Sequence, residues 1–402
     1  MSSQSNKNTS VFLDGGLSHA EAQRGGAGGS TSVSTTIDRS TWKRVRLGDV
    51  CEISKGEQLN RTTLAEKGRI PVYNGGSAPS GYAEEANTDA ENVIISEGGN
   101  SCGYVNYIHV PFWRGGHCYL LDTKLDKLLL YYVLKANESK IMSLRVGTGL
   151  PNIQRKRLNA FEFDLPIDTI KQRQIVSAFV SIDTHISALQ SLIAKYEAIK
   201  KATVNLLLEP HKSIPVVKLG EVADISRGGS PRPIQDYLTS DSNGINWIKI
   251  GDVSVDAKYI ERTEERIKPT GVAMSRQVKA GDFILSNSMS FGRPYILKID
   301  GCIHDGWLAI QNYQNIFDVD YLYYLLGSDM VFTQYIENAA GSSVKNLNKE
   351  IVAKITLPSP PLSEQRKIAE KIIAIDNALA DYKAQLEKAR QLKAGMMSYF
   401  FG

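Results

Sequence analysis

The sequence predicts an α+β fold: two repeated α/β domains, separated and joined by two long helices that form an antiparallel coiled coil. Three observations predict it. A helical segment occurs twice with its apolar residues in one heptad phase, a globular segment occurs twice in front of it, and the two globular copies differ in length within one region only.

Taken in order, residues 1–41 are rich in Ser, Thr and Gly and poor in large apolar side chains, so they cannot bury enough surface to offset their ordering entropy; they predict a flexible leader. A first domain over 42–164 opens with Val45-Arg-Leu-Gly-Asp-Val-Cys-Glu-Ile-Ser-Lys-Gly56. Short apolar runs at Val93–Ser96, Tyr104–Val110 and His117–Leu121, bounded by Gly, Asn or Ser, read as strands. Leu125–Leu144 reads as a helix with Asp126 at its start.

The segment 165–210 begins Leu-Pro, passes Gln172-Arg173 and meets no further proline before Pro210. Ile175, Phe179, Ile182, Ile186, Leu189, Ile193 and Tyr196 alternate steps of four and three, the signature of a coiled-coil seam. A second domain over 211–356 restates the opening phrase as Val217-Lys-Leu-Gly-Glu-Val-Ala-Asp-Ile-Ser-Arg-Gly228, 172 residues on. Its strands are Trp247–Ile250, Phe283–Ser286, Tyr295–Ile299 and Trp307–Ile310, and its helix is Val319–Glu337 with Asp320 near the start. Phe283-Ile-Leu-Ser286 answers Val93-Ile-Ile-Ser96 at an offset of 190, so 18 extra residues lie between Gly228 and Phe283. One scaffold thus presents two different surfaces. The segment 357–402 repeats the helix at an offset of 193, with Gln365-Arg366 and the seam Ile368, Ile372, Ile375, Leu379, Tyr382, Leu386 and Ala389. Even a polar interruption repeats, as Lys200 and Lys393. At about 1.5 Å per residue such helices run about 55 to 60 Å, longer than one small domain needs.

A formal charge of +4 and a pI near 8.6 permit a polyanionic partner without demanding one. Cys51, Cys102, Cys118 and Cys302 form no Cys-x-x-Cys and the six histidines no close pair, which argues for buried thiols and against a disulfide framework or a metal site. No run of about 18 apolar residues and no charged-then-apolar start is read in the chain, so a cytoplasmic protein without a membrane span is expected. No catalytic residue is assigned. Gly147-Thr-Gly149 lacks the third glycine of a dinucleotide loop and reads as a turn. Ser359-Pro-Pro-Leu362 lacks the aromatic of a methyltransferase motif and reads as the lead-in to a helix. Glu138-Ser-Lys140 lacks the strand-borne aspartate of a nuclease and reads as surface charge near a helix end.

What remains is a set of polar loops whose side chains suit nucleic acid: Arg and Lys for guanine edges, Asn and Gln for adenine edges, Ser and Thr for phosphates. The candidates in the first copy are Lys55, Gln58, Asn60, Arg61, Tyr73, Asn74, Asn100, Thr148, Asn152, Gln154 and Arg155. In the second they are Arg227, Ser230, Arg232, Asn287, Ser288, Ser290, Arg293, Ser342, Ser343, Lys345 and Asn346. Surface loops are polar whether or not they bind anything, and a protein-binding scaffold of repeated domains fits the same pattern.

The order of domain, long helix, domain, long helix resembles the DNA-specificity subunit of type I restriction-modification enzymes over nearly all of 42–402. The carriers are the Leu-Gly-Asp/Glu-Val openings at 47 and 219, the Gly-Thr-Gly and Gly-Ser-Ser loops at 147 and 341, and the Leu-Pro and Gln-Arg helix lead-ins. One departure is Lys171 where the second copy has Glu364 before Gln-Arg. The resemblance implies two target-recognition domains reading an asymmetric, interrupted site on double-stranded DNA, with the helix pair as spacer. It also implies docking of two modification (methyltransferase) subunits and, through them, restriction and motor subunits. No cofactor is implied for this chain; S-adenosylmethionine, ATP and Mg would belong to the partner subunits.

Overall fold

The computed structural model describes residues 39–147, 149, 151–208, 213–254, 257–287, 292–339 and 347–402. Two helices dominate it, Thr169–Leu208 and Leu362–Phe401, each 40 residues and so about 60 Å long. They pair antiparallel: Phe179 near the start of the central helix stacks on Phe401 at the end of the other, and Tyr196 packs edge-on against Tyr382.

The seam is real but divided. Leu189, Leu386 and Ala389 are buried between the helices, flanked by half-buried Ile182, Ile186, Ile193 and Tyr382; Leu379 is also buried and Ile375 half-buried. The outer positions go elsewhere. Ile175 and Phe179 join the core of the first domain, and Ile368 and Ile372 that of the second. Antiparallel pairing sends the far ends the opposite way: Met396, Met397, Phe400 and Phe401 enter the first core, Val204, Leu207 and Leu208 the second. Each domain therefore closes on the start of the helix that follows it and the end of the other one.

One window of 18 residues in Thr169–Leu208 reaches a mean hydropathy of 1.2, so by length and composition this helix is apolar enough to cross a membrane, which the sequence reading had not recognised. Its apolar content has a local reason, because one helix must supply a seam and contributions to two domain cores.

The first domain holds a four-stranded antiparallel sheet in the order Cys51–Lys55, Cys118–Thr123, Asn92–Ser96, Val105–Ile108. Successive side chains alternate between faces. Ile53, Val93, Ile95, Val105 and Leu121 meet the helix Lys127–Ala136, while Ile94, Ile108 and Cys118 face the other way, where Tyr73 from a small second sheet and Phe112 beside that sheet cover them. Burial on both faces is why Val93–Ser96 is continuously apolar rather than alternating. The second domain repeats this with Asp224–Arg227, Trp307–Gln311, Phe283–Ser286 and Pro294–Leu297, and adds Tyr259–Ile260 as a parallel edge strand. Its companion sheet has five strands against three in the first. Ile70–Tyr73 and Ile245–Ile248 each run parallel to a strand just before the final sheet strand, and matching them sets their offset at 175. Most of the extra length therefore follows Ile248.

Both domains are closed by a short strand pair, Trp42–Arg46 with Glu162–Pro166 and Val216–Lys218 with Thr356–Pro358. The repeated Leu-Gly-Asp/Glu-Val phrase forms one helical turn whose leucine, Leu47 or Leu219, is fully buried, its amide bonded to the carbonyl of Phe161 or Ile355. Both domain helices differ from their sequence reading in continuity. Leu125–Leu144 is broken at Asn137 into Lys127–Ala136 and Glu138–Met142, and Val319–Glu337 is broken at Gly327 and Ser328. Asp320 lies in the first turn of the second domain helix, as expected, and pairs with Lys258 at 2.6 Å; the cap is Asp318, which accepts from the amides of Asp320 and Tyr321. Glu138 begins a helix and is no bare surface charge: it accepts from the Val105 amide at 2.8 Å and from Lys135 at 2.6 Å.

The Gln-Arg lead-ins also differ in detail. Gln365 is fully buried and makes three hydrogen bonds, donating to the carbonyls of Ile316 and Pro360 and accepting from the Asp318 amide, each at 2.8 Å. Gln172 is half-buried and donates to the Pro166 carbonyl at 2.8 Å. Lys171, in the place of Glu364, sits 5.8 Å from the Trp42 ring centroid, a cation–π contact that an acid could not make.

Candidate nucleic-acid interface

The strand pairing carries several of the candidate loops to one end of each main sheet. Lys55 lies opposite Tyr119, and Ser96 opposite Cys118, so the loops after 55 and 96 and before 118 share a level. In the second domain Arg227 lies opposite Leu308 and Ser286 opposite Trp307, which gathers the loops after 227 and 286 and before 307 in the same way. Gly56 and Gly228 permit this crowding. A Cβ on either would stand 2.1 Å from a carbonyl oxygen of the facing loop, that of Arg114 or His304.

The two ends carry different charge layouts. In the first, Glu97 is the centre: Lys55 pairs with it, His117 Nδ1 lies 3.1 Å away, and the Tyr119 hydroxyl donates to it at 3.1 Å. Burial would raise its pKa, but the Lys55, His117 and Tyr119 contacts outweigh that and hold the carboxyl below its ordinary range. In the second, Asp305 is the centre. Its carboxylate accepts from Ser230 at 2.9 Å and faces His304 Nε2 at 2.9 Å and Arg232 at 3.5 Å. Arg227 and Asn287 donate to its backbone carbonyl at 3.2 and 3.0 Å. Here too burial is outweighed, by Ser230, His304 and Arg232, and the pKa is lowered.

The position that carries Glu97 in one copy carries Asn287 in the other. Their amides bond the carbonyls of His117 and Gly306, and their carbonyls accept from Ile153 and Leu347. The acid has thus moved from a strand end to the facing loop while the backbone frame stayed. Glu97, His117, Tyr119, His304 and Asp305 were missed in the sequence. The alignment of Ser96 with Ser286 pairs Glu97 with Asn287, but it carries no signal for the residues of the facing loop.

Among the first-copy candidates, Lys55, Asn100 and Asn152 do converge. Asn100 is exposed on the turn Gly99–Ser101, which is held by a Gly99-to-Pro151 backbone bond, and exposed Asn152 is bridged to Gly98. Gln58 is exposed beside Gly116. Others are engaged internally. Asn60 builds its own turn by accepting from the Thr62 amide and the Thr63 hydroxyl. Tyr73 packs edge-on against Phe112 and burial raises its phenol. Asn74 has its Oδ1 buried against Gly115 with no hydrogen-bond partner among the described residues. Arg155 turns back toward the sheet, donating to the Ile53 carbonyl at 3.4 Å, while Gln154 just before its helix is exposed.

In the second copy Arg227, Ser230, Arg232 and Asn287 converge on Asp305; Arg232 is the most open, 82% exposed, and Asn287 is buried as part of the frame. Arg293 is half-buried, its carbonyl accepting from the Ser286 amide. A cleft of about 620 Å³ adjoins this cluster, lined among others by Ser230, Arg232, Trp247, Lys249, Glu265 and His304. Thr148, Ser288, Ser290, Ser342, Ser343, Lys345 and Asn346, and the side chain of Arg61, lie outside the described residues. Among the described residues no three His, Cys, Asp or Glu side chains come together as metal ligands.

A family model described as type I restriction modification DNA specificity domain matches residues 39–198 and again 212–389. A putative type I specificity subunit of Mycoplasma genitalium is 24% identical over 90% of this chain and 94% of its own length. The MjaVIII type I restriction enzyme specificity subunit of Methanocaldococcus jannaschii is 28% identical over 87% and 90%. A putative type I specificity subunit of Mycoplasma pneumoniae is 34% identical, but over 47% of this chain and 55% of its own length, so the match spans about half of that protein. Among solved structures, the type I S subunit of M. genitalium shares the fold with a TM-score of 0.64, at 20% identity over 90% of this chain and 96% of that one.

Proposed function

Since the chain belongs to the type I restriction-modification DNA specificity family, we propose that its two domains read the two halves of an asymmetric, interrupted target on double-stranded DNA through the loops gathered at one end of each main sheet. The observation that carries this reading is that one backbone frame is loaded differently in the two copies, around Glu97 with Lys55 and His117 in one and around Asp305 with Arg227, Ser230 and Arg232 in the other. Two like scaffolds with unlike tips suit two unlike half-sites, whereas a homodimer would call for a palindrome. Half-sites about one duplex turn apart, about 34 Å, fall within the reach of a helix pair about 60 Å long.

On this reading the chain is a non-catalytic subunit. It recruits two modification subunits carrying adenine methylation with S-adenosylmethionine, and through them restriction and motor subunits that use ATP and Mg. Support for assembly comes from relatives named as specificity subunits of type I restriction enzymes. The test is methylation profiling of DNA exposed to this chain with its modification subunit. Two different methylated half-sites at a fixed gap support the reading, and a palindromic site or no site refutes it. A salt titration separates DNA binding from protein scaffolding, since counterion release makes DNA affinity fall steeply as salt rises.

A further inference from the structure

Away from the loop ends, one polar triad occurs at both junctions between a globular domain and the helix pair. At the first, Tyr132 on the domain helix Lys127–Ala136 donates to Asp183 Oδ2 at 2.8 Å, while Lys393 from the opposite long helix reaches Asp183 Oδ1 at 2.5 Å. At the second, Tyr324 donates to Asp376 Oδ2 at 2.7 Å and Lys200 lies 2.6 Å from Asp376 Oδ1. The third side closes in both cases, with the ammonium 5.7 and 5.9 Å from the centroid of the phenol ring. This also accounts for the polar interruption repeated at Lys200 and Lys393.

Each triad joins three elements: a domain helix, the long helix that follows that domain, and the other long helix. The tyrosines are buried, and the Lys and Asp side chains are between 24% and 36% exposed, so these are partly desolvated, charge-assisted bonds. Burial and the adjacent carboxylate both raise the two phenols far above their ordinary range, which keeps each hydroxyl a donor. The surrounding apolar seam is non-directional and tolerates small slides and rotations, whereas a triangle of two short bonds and a ring contact fixes both. Because each triad holds one residue from each long helix, sliding one helix by a turn, about 5.4 Å, would break both.

We propose that Tyr132–Asp183–Lys393 and Tyr324–Asp376–Lys200 are two independent latches that set the orientation of each domain on the helix pair and the register between the helices. These are positioning residues, and they would fix the separation of the two half-sites. That last consequence rests on the proposed function; the latch itself does not, and its test needs no DNA.

The full chain is spin-labelled on introduced cysteines, the native ones being buried. One pair, Glu84→Cys with Lys388→Cys, reports the first domain against the C-terminal helix, and Gln235→Cys with Lys195→Cys reports the second domain against the central helix. All four positions are exposed. Double electron–electron resonance is expected to give one narrow distance distribution for each pair. Lys393→Met broadens the first and leaves the second unchanged, Lys200→Met does the converse, and Lys393→Arg restores the narrow peak. Should Lys393→Met fail to fold, Tyr132→Phe, which removes only the hydroxyl, gives the same local broadening. Unchanged distributions in these variants, or equal broadening of both pairs, overturns the proposal. A chain that binds no DNA but shows the local broadening would sink the proposed function and leave the latches standing.

Discussion

Replacing Gln365 by alanine should loosen the second helix lead-in far more than the same change at Gln172 loosens the first, although the two residues occupy matching places in a repeated motif. Gln365 is fully buried and satisfies three backbone groups, the carbonyls of Ile316 and Pro360 and the amide of Asp318. Leaving a buried polar group unpaired costs about 1 to 3 kcal/mol. Ile316 is 36% exposed, so water can reach part of the vacated space, and the low end of the range applies. Three groups then cost about 3 kcal/mol in all, which is about a hundredfold in a local opening equilibrium. Gln172 is half-buried and satisfies the Pro166 carbonyl, so its loss costs about 1 kcal/mol or about fivefold. Native-state hydrogen exchange is the appropriate assay, because a chain with two domains need not unfold in one step. The amides of Asp318 and of the first turn of Leu362–Phe401 should lose protection in Gln365→Ala, with only slight change at the first turn of Thr169–Leu208 in Gln172→Ala. Equal losses at the two sites would refute the reasoning.

In the seam, Leu189→Asp should cost several kcal/mol by burying an unpaired charge between the helices, and Ile186→Asp less, since Ile186 is only half-buried; urea unfolding followed by circular dichroism checks the order. At the second domain, Arg232→Ala should weaken one half-site by about 1 to 3 kcal/mol through loss of a guanine contact; anisotropy titrations with either half-site scrambled would expose equal loss for both halves as a contradiction. Acid should loosen the same tip. The folded pKa of Asp305 is depressed, so the stability it contributes is fully present above its ordinary value of 3.8 and is lost as pH falls through the lowered one. Exchange at the Asn287 and Gly306 amides should therefore speed up, after correction for intrinsic rates, on acidification below that value, and Asp305→Asn should be loose at every pH. Acid-insensitive amides in the unaltered chain would contradict this.

The candidate loops were legible as loops, yet the sequence could not say which side chains were available to a partner. Asn60, Tyr73 and Asn74 have the same chemistry as Asn100 and Asn152, but the first three are occupied in a turn, a ring contact and a buried carbonyl. Arg227 and Arg232 were visible as cations; the carboxylate that organises them, Asp305, lies more than seventy positions away in the chain. No local pattern links residues at that distance. Only the pairing of Asp224–Arg227 with Trp307–Gln311 brings the two loops together.

By itself the sequence determined the repeat, the α+β class, the strand cores and the phase of the helix seam. These depend on periodicities of two, three and four residues and on turn chemistry, which act over short stretches and survive duplication of the chain. The tertiary structure decided how the seam is shared. Ile175, Phe179, Ile368 and Ile372 carry the same heptad phase as Leu189 and Leu386 but are drawn into domain cores, because each long helix starts against the domain it directly follows, and antiparallel pairing brings the end of the other helix into the same core. It also turned Lys200 and Lys393 from breaks in an apolar pattern into partners for Asp376 and Asp183. A seam lysine in isolation is only a cost. What makes it a contact is a carboxylate supplied by the other helix at the matching height, and that height is set by three-dimensional packing.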